Sequence, residues 1–359
     1  MKTLRLAVDP AHLDAPEARE SIARAARILR NGGLVAMPTE TVYGLGANAL
    51  NPNAVARIFA AKQRPAWDPI IVHIAGPVDR NPMLESLVTE IPDRARRLIA
   101  AFWPGPLTLL LPRSAAVPDA VTAGRPLVGI RMPAHPAASQ LILEAGIPVA
   151  APSANLFGHI SPTQAAHVLD DLDGSIDAIL DAGPTRHGVE STVIDPCQSP
   201  MVIYRPGALT ARQIRSIAGP AGIHRTRAPL SAAPRWALPS PGVGLRHYAP
   251  RARLVLIEGP LAGLPARIAT AAEKESAARL GLMLPAELAG TVLAGIELPG
   301  AAVFPWGRWS RPDELARNLY AGLRSLDAQE CTVILCPLPP ATGVGAAIRD
   351  RLRKAAGTA

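Results

Sequence analysis

Short aliphatic runs alternate with helix-periodic segments along most of this chain, and that alternation confines it to α/β layers rather than a sandwich or a bundle. Strands are predicted over 34–37, 70–74, 107–111, 128–132, 147–151, 191–194 and 202–204. Between them, Asn51-Pro52 opens a helix as N-cap and first-turn proline, with Val55, Ile58 and Phe59 on its apolar stripe and Lys62 next in line. Further helices are predicted over 92–102, stopping at Trp103-Pro104-Gly105-Pro106, and over 136–145, closed by Gly146. Ser161-Pro162-Thr163-Gln164 reads as a capping box that opens another helix, and Thr210 to Gln213 repeats the box before a short one.

The alternation is broken once. Residues 196–257 contain no acidic side chain but nine arginines, and Gly219-Pro220, Pro229, Pro234, Pro239 and Pro241-Gly242-Val243-Gly244 interrupt any helix or strand there. The expected organisation is a domain over 1–219, a basic linker over 220–252 and a smaller α/β domain over 253–359. In the last, 254–257, 281–284 and 333–335 are predicted strands and 264–278, 312–326 and 345–356 predicted helices. The linker is either a solvated tether or a segment that folds over a polyanion.

At 48% hydrophobic, the chain is too apolar for a disordered one. It has no apolar run approaching the roughly 18 residues of a membrane span, and Met1-Lys2-Thr3-Leu4-Arg5 does not begin a secretory signal. A cytoplasmic protein without membrane contact is the expectation. The net charge of +8 is local: outside 196–257, 28 basic residues face 29 acidic ones. That balance, with 4% aromatics, argues against a protein that only binds RNA through phosphates and stacked bases. Cys197, Cys331 and Cys336 match neither a disulfide framework nor a zinc set and read as core thiols.

A Gly-x-x-x-x-Gly-Lys phosphate loop is missing, and the glycines at 343–345 fail the dinucleotide fingerprint. His187-Gly-Val-Glu190 is no zinc helix motif, and Ser153 lacks the flanking glycines of a nucleophile elbow. Four segments nonetheless place polar groups at strand ends, where open α/β sheets bind ligands. In Pro38-Thr-Glu-Thr-Val-Tyr-Gly-Leu-Gly46, Thr41 either bonds a small polar substrate or is satisfied within its turn. Lys62-Gln63-Arg64-Pro65 either stabilises a helix C-terminus or binds phosphate, and His73 follows on a strand. Arg131, in an apolar strand, must find a carboxylate or a ligand, and a substrate carboxylate would serve. Near it come Ala151-Pro-Ser-Ala-Asn155 and Ser161, the latter at a helix start open to an anion. Gly188 to Val193 and Tyr204 to Gly207 add a hydroxyl, Ser191, and a cation, Arg205.

Together these segments resemble the YrdC-like threonylcarbamoyl-AMP synthase family, in order over roughly residues 15–220. His247-Tyr248-Ala249-Pro250, followed by a small α/β domain, is similar to the family's long two-domain form. The resemblance implies a YrdC-like twisted open sheet joined by a long linker to a Rossmann-like domain. It implies L-threonine, bicarbonate and ATP with Mg2+ as reactants, giving threonylcarbamoyl-AMP and pyrophosphate, a nucleotidyl transfer. Downstream tRNA threonylcarbamoyl-transfer proteins, and weak tRNA binding, are the implied partners. By position, Thr41, His73, Arg131, Ala151 and Ser191 fall where the family holds threonine. Lys62, Arg64, Ser153, Asn155, Ser161 and Arg205 fall where it holds ATP, His247-Tyr248 where the linker closes over the nucleotide, and Lys62 and Arg64 are the implied catalytic pair. Three positions depart from the family pattern. Asp68 replaces an expected Asn and adds negative charge beside the triphosphate, favouring Mg2+; Leu127 replaces a hydroxyl; and Gly244-Leu245-Arg246 differs from the expected Lys-Tyr form. A variant of the reading keeps the fold but takes carbamoyl phosphate instead of threonine and bicarbonate.

Overall fold

The computed structural model describes residues 2–224, 237–240, 242, 247–275, 278–288 and 300–357. Most of the predicted linker, including Gly244-Leu245-Arg246, lies outside the described residues.

Eleven strands form one mixed sheet among the described residues. From edge to edge they are β1 (Leu4–Ala7), β8 (Ala178–Asp181), β2 (Val35–Met37), β3 (Gly44–Asn48), β7 (Val149–Ala150), β4 (Ile71–His73), β6 (Leu127–Arg131), β5 (Leu107–Pro112), β9 (Thr192–Asp195), β10 (Met201–Arg205) and β11 (Ala221–Ile223). Period-2 alternation sends neighbours to opposite faces: Ala36 and Ile179 to one core, Val35, Met37 and Leu180 to the other. Helices Pro52–Lys62, Asp93–Phe102 and Ala211–Ala218 cover the first face, and Pro16–Arg30 with Pro136–Ala145 the second. Asn51 caps its helix through bonds from the Asn53 and Ala54 amides, and Gly146 ends another at φ 66°.

A second sheet, β12 (Arg253–Ile257), β15 (Val333–Pro337), β13 (Leu280–Pro285) and β14 (Ala302–Gly307), is wholly parallel. Leu282 and Leu335 face helix Leu264–Lys274, while Met283, Ile334 and Cys336 face helices Pro312–Ala328 and Gly345–Ala356. That doubly covered parallel sheet is the expected Rossmann-like unit. Its second face also packs on Val42, Ile160 and Val189 of the large sheet's domain, so the two units share a core.

Some local expectations fail. Ser161 caps no helix: the helix starts at Ala165, its N-cap Gln164 makes no side-chain cap, and the Ser161 hydroxyl donates to Glu190 at 2.7 Å. Cys197 is exposed rather than in the core, whereas Cys331 and Cys336 are buried. Strands β1, β3, β8, β11 and β14 carried no prediction, because short runs give a weak periodic signal; helix Pro16–Arg30 was also missed, although Ala18, Ile22, Ala25, Ala26 and Leu29 recur at helical spacing. No helix among the described residues is long and apolar enough to cross a membrane.

Candidate functional site

Strands β2, β3, β4, β6, β7, β9 and β10 end around one pocket of about 50 Å3. Thr41, Arg64, His73, Arg131, Ala151, Ser153, Ser191, Arg205, His247 and Tyr248 all line it. Lys62, Asp68, Asn155 and Ser161 do not, but each is buried close behind that wall.

The turn before β3 is tied by its own hydroxyls. Thr39 Oγ1 donates to the Val42 carbonyl at 2.6 Å and lies 2.8 Å from Thr41 Oγ1. Arg131, brought up by β6, donates to Thr41 Oγ1 at 2.8 Å and to the Gly105 carbonyl at 3.3 Å. Its other nitrogen meets Glu40 at 2.7 Å, both side chains being buried. The buried arginine thus has a carboxylate within the protein while still lining the pocket. His73 sits beside it on β4, and burial, with the Arg131 charge adding to it, pulls its pKa down to about 3. Both effects favour the neutral ring.

Arg64, also lining the pocket, donates to the Asp68 and Pro69 carbonyls at 3.1 and 2.7 Å and pairs with the Asp68 carboxylate at 2.9 Å. Burial raises the Asp68 pKa against the pull of Arg64, and its Oδ1 has no hydrogen-bond partner. Lys62 ends its helix with Nζ on the Ser153 carbonyl at 2.6 Å and on the Asn155 carbonyl. Burial, then the Arg64 charge, lowers its pKa well below the usual amine value, and Nζ donates to both carbonyls in either protonation state. Asn155 in turn donates to the Leu156 and His159 carbonyls at 2.7 and 2.9 Å. Leu127 packs with Ile71, Leu110 and Val193, an apolar use of the position where a hydroxyl was expected.

Arg205, from β10, donates to the Ser191 carbonyl and hydroxyl at 3.1 Å each, and Thr108 Oγ1 lies 2.8 Å from the same hydroxyl. Glu190, next in the chain, accepts from Ser161 at 2.7 Å, from Tyr320 at 3.0 Å and from Arg351 Nε at 2.7 Å. Burial alone would raise its pKa, but Arg351, then Arg205, hold it at about 2. Gly242, His247 and Tyr248 form the remaining wall. The Tyr248 ring lies 5.9 Å from that of Tyr320 and 5.1 Å from the Arg351 guanidinium carbon, and Lys354 donates to the Gly242 carbonyl at 2.8 Å.

Glu40, Glu190, Tyr320, Arg351 and Lys354 carried no sequence prediction. The two glutamates sit inside motifs already singled out. Arg351 had a readable signal, since it lies on the stripe Ile348, Leu352 and Ala355 where an apolar residue belongs. The pocket thus combines paired cations, hydroxyls and carbonyls with no nucleophile poised on a base, and no group of three or more metal-ligating side chains occurs among the described residues.

A family model described as "Telomere recombination" (Sua5_yciO_yrdC) matches residues 27–207, and one described as "Threonylcarbamoyl-AMP synthase, C-terminal domain" matches residues 209–357. The chain is 45% identical to the threonylcarbamoyl-AMP synthase of Pyrococcus abyssi, over 93% of each. It is 44% identical to that of Bacillus subtilis, over 94% of this chain and 93% of the relative. The crystal structure of P. abyssi Sua5 complexed with L-threonine superposes with a TM-score of 0.86 at 41% identity, covering 100% of this chain and 98% of that one. The chain belongs to the Sua5/YciO/YrdC family of threonylcarbamoyl-AMP synthases, in the two-domain form.

Proposed function

We propose that this protein makes threonylcarbamoyl-AMP and pyrophosphate from L-threonine, bicarbonate and ATP, as a nucleotidyltransferase. The observation that carries the reading is a single pocket lined by Thr41, Arg131 and Ser191 together with Arg64 and Arg205, with Arg131 bonded to the Thr41 hydroxyl and Arg205 to the Ser191 hydroxyl. One end suits a small amino acid with a hydroxyl; the other suits phosphate, which the arginine fork binds bidentately.

The threonine amine takes up the carbon of bicarbonate with loss of water, and the carbamate oxygen then attacks the α-phosphorus. The bond from that phosphorus to the bridging oxygen breaks, and pyrophosphate leaves. Such a transfer rests on position and charge neutralisation, which suits a site of arginines, a lysine and backbone groups without a covalent nucleophile. Lys62 and Arg64 are read as the catalytic pair, Lys62 by fixing the Ser153 and Asn155 carbonyls and Arg64 by facing the phosphates. Mg2+ would enter with ATP, held by phosphate oxygens and water, while Asp68, whose unpartnered Oδ1 lies behind the pocket wall, would add its negative charge from there. The ion neutralises phosphate charge when bound.

Ligand pockets usually run to about 300–1,000 Å3, so a space of about 50 Å3 must enlarge to admit ATP. The wall made by Gly242, His247 and Tyr248 is the part that belongs to the predicted linker. A cytoplasmic location and transfer of the product to tRNA-modifying proteins, with weak tRNA contact, complete the proposal.

Pyrophosphate release by the purified protein with ATP and Mg2+ tests it. Release that needs both threonine and bicarbonate is expected; release indifferent to threonine overturns the reading.

A further inference from the structure

Glu190 is buried and lines the pocket, with Arg351 on its carboxylate and Arg205 bonded to the next residue, Ser191. Arg351 reaches it from the last helix of the second domain, with Nε 2.7 Å from the carboxylate. Arg205 is the next strongest positive influence, yet its hydrogen bonds run to the carbonyl and hydroxyl of Ser191. We propose that Arg351 is a positioning residue: by neutralising Glu190 from the second domain, it leaves Arg205 to hold Ser191 in the pocket wall.

A buried carboxylate stripped of its partner either takes up a proton or draws in the nearest other cation. Without Arg351, the remaining groups around Glu190 are Ser161, Tyr248, Tyr320, His247, Asp350 and Arg205. His247 is buried and held neutral, Asp350 repels, the tyrosines only donate, and Lys354 is already held by Asp350 and the Gly242 carbonyl, so Arg205 is the cation left to turn. Ser191 would then lose its cation and keep only Thr108, and the site would weaken without any of its own residues having changed. Acid reverses this, because a protonated Glu190 no longer competes for Arg205.

The inference rests on the proposed activity for its rate measurements, so one readout is kept independent of turnover. Arg351→Met is expected to lower kcat/KM by about tenfold to a hundredfold, the scale on which loss of a supporting partner is felt. The ratio of variant to parent should rise as pH is lowered, with KM for threonine affected more than that for bicarbonate. Adding Glu190→Gln should return the double variant to within about fivefold of the parent, a coupling that independent sites do not show. The effect reverses in Arg351→Lys, which keeps the cation and keeps the protein folded should the methionine variant unfold: there Glu190→Gln should make matters worse.

Hydrogen exchange of the peptide spanning 188–194 reports the same wall without turnover. It should quicken in Arg351→Met and slow again in the double variant. Equal effects of Glu190→Gln in the Met and Lys backgrounds, or an Arg351→Met variant matching the parent in both exchange and the pH dependence of its rate, overturn the role of Arg351. A parent that releases no pyrophosphate overturns the proposed activity instead, and the exchange comparison still decides the role of Arg351.

Discussion

Arg64 turns two carbonyls and a carboxylate into one fixed guanidinium at the pocket wall, a preorganised charge of the kind that phosphoryl transfer exploits. Arg64→Ala should lower turnover at least about a hundredfold, the usual scale for one such donor. Single-turnover pyrophosphate release measures it, and a variant within about fivefold of the parent would remove Arg64 from the mechanism. Glu190 makes a second prediction, in stability. Its pKa is depressed from 4.5 to about 2, so its contribution is complete above the unfolded value and disappears as pH falls through that window. The shift corresponds to something on the order of 3 kcal/mol. Urea unfolding from pH 6 to pH 3 should therefore show Glu190→Gln less stable than the parent at the upper end, with the gap narrowing towards the lower.

At the scale of elements, the same four-residue signature gave two outcomes. Thr210 and Gln213 form the reciprocal box, because nothing else competes for the threonine hydroxyl on an exposed turn. Ser161 carries the same pattern, but the helix after it starts only at Ala165, so no first-turn amide stands where the box needs it, and the Ser161 hydroxyl donates to the buried Glu190 carboxylate instead. The cap at Asn51 depends only on its own Asn53 and Ala54 amides, so it was legible locally. Asn51→Ala should lower stability by about 1 kcal/mol while leaving the threonine KM near that of the parent, since the cap lies at the far end of the helix that carries Lys62. Denaturant midpoints and initial rates on one preparation separate the two effects.

For the molecule as a whole, the second domain is part of the site. Tyr320, Arg351 and Lys354 all come from its helices, and the domains leave no room for a side chain at Gly188. There φ is +70°, and a side chain would meet the Ala316 carbonyl and the Arg317 Cα at 2.5 Å. Both are backbone atoms, so helix Pro312–Ala328 would have to move. Gly188→Ala should destabilise by about 2 kcal/mol or more and carry Tyr320 away from Glu190. A lowered Tm together with a raised KM would show both. An unchanged Tm would mean that the interface yields at no cost.

The α/β class, most of the site-forming strands, the caps at Asn51 and Thr210, and the segments carrying Thr41, Arg64, Arg131, Ser191 and Arg205 were determined by the sequence alone, since period, capping and turn chemistry act over a few residues. Tertiary structure decided which charges meet: Arg131 with Glu40, Arg64 with Asp68, and Glu190 with an arginine 161 residues further along the chain. Burial makes such pairs obligatory, but which partner satisfies each one depends on how sheet and helices pack, and no local pattern carries that information.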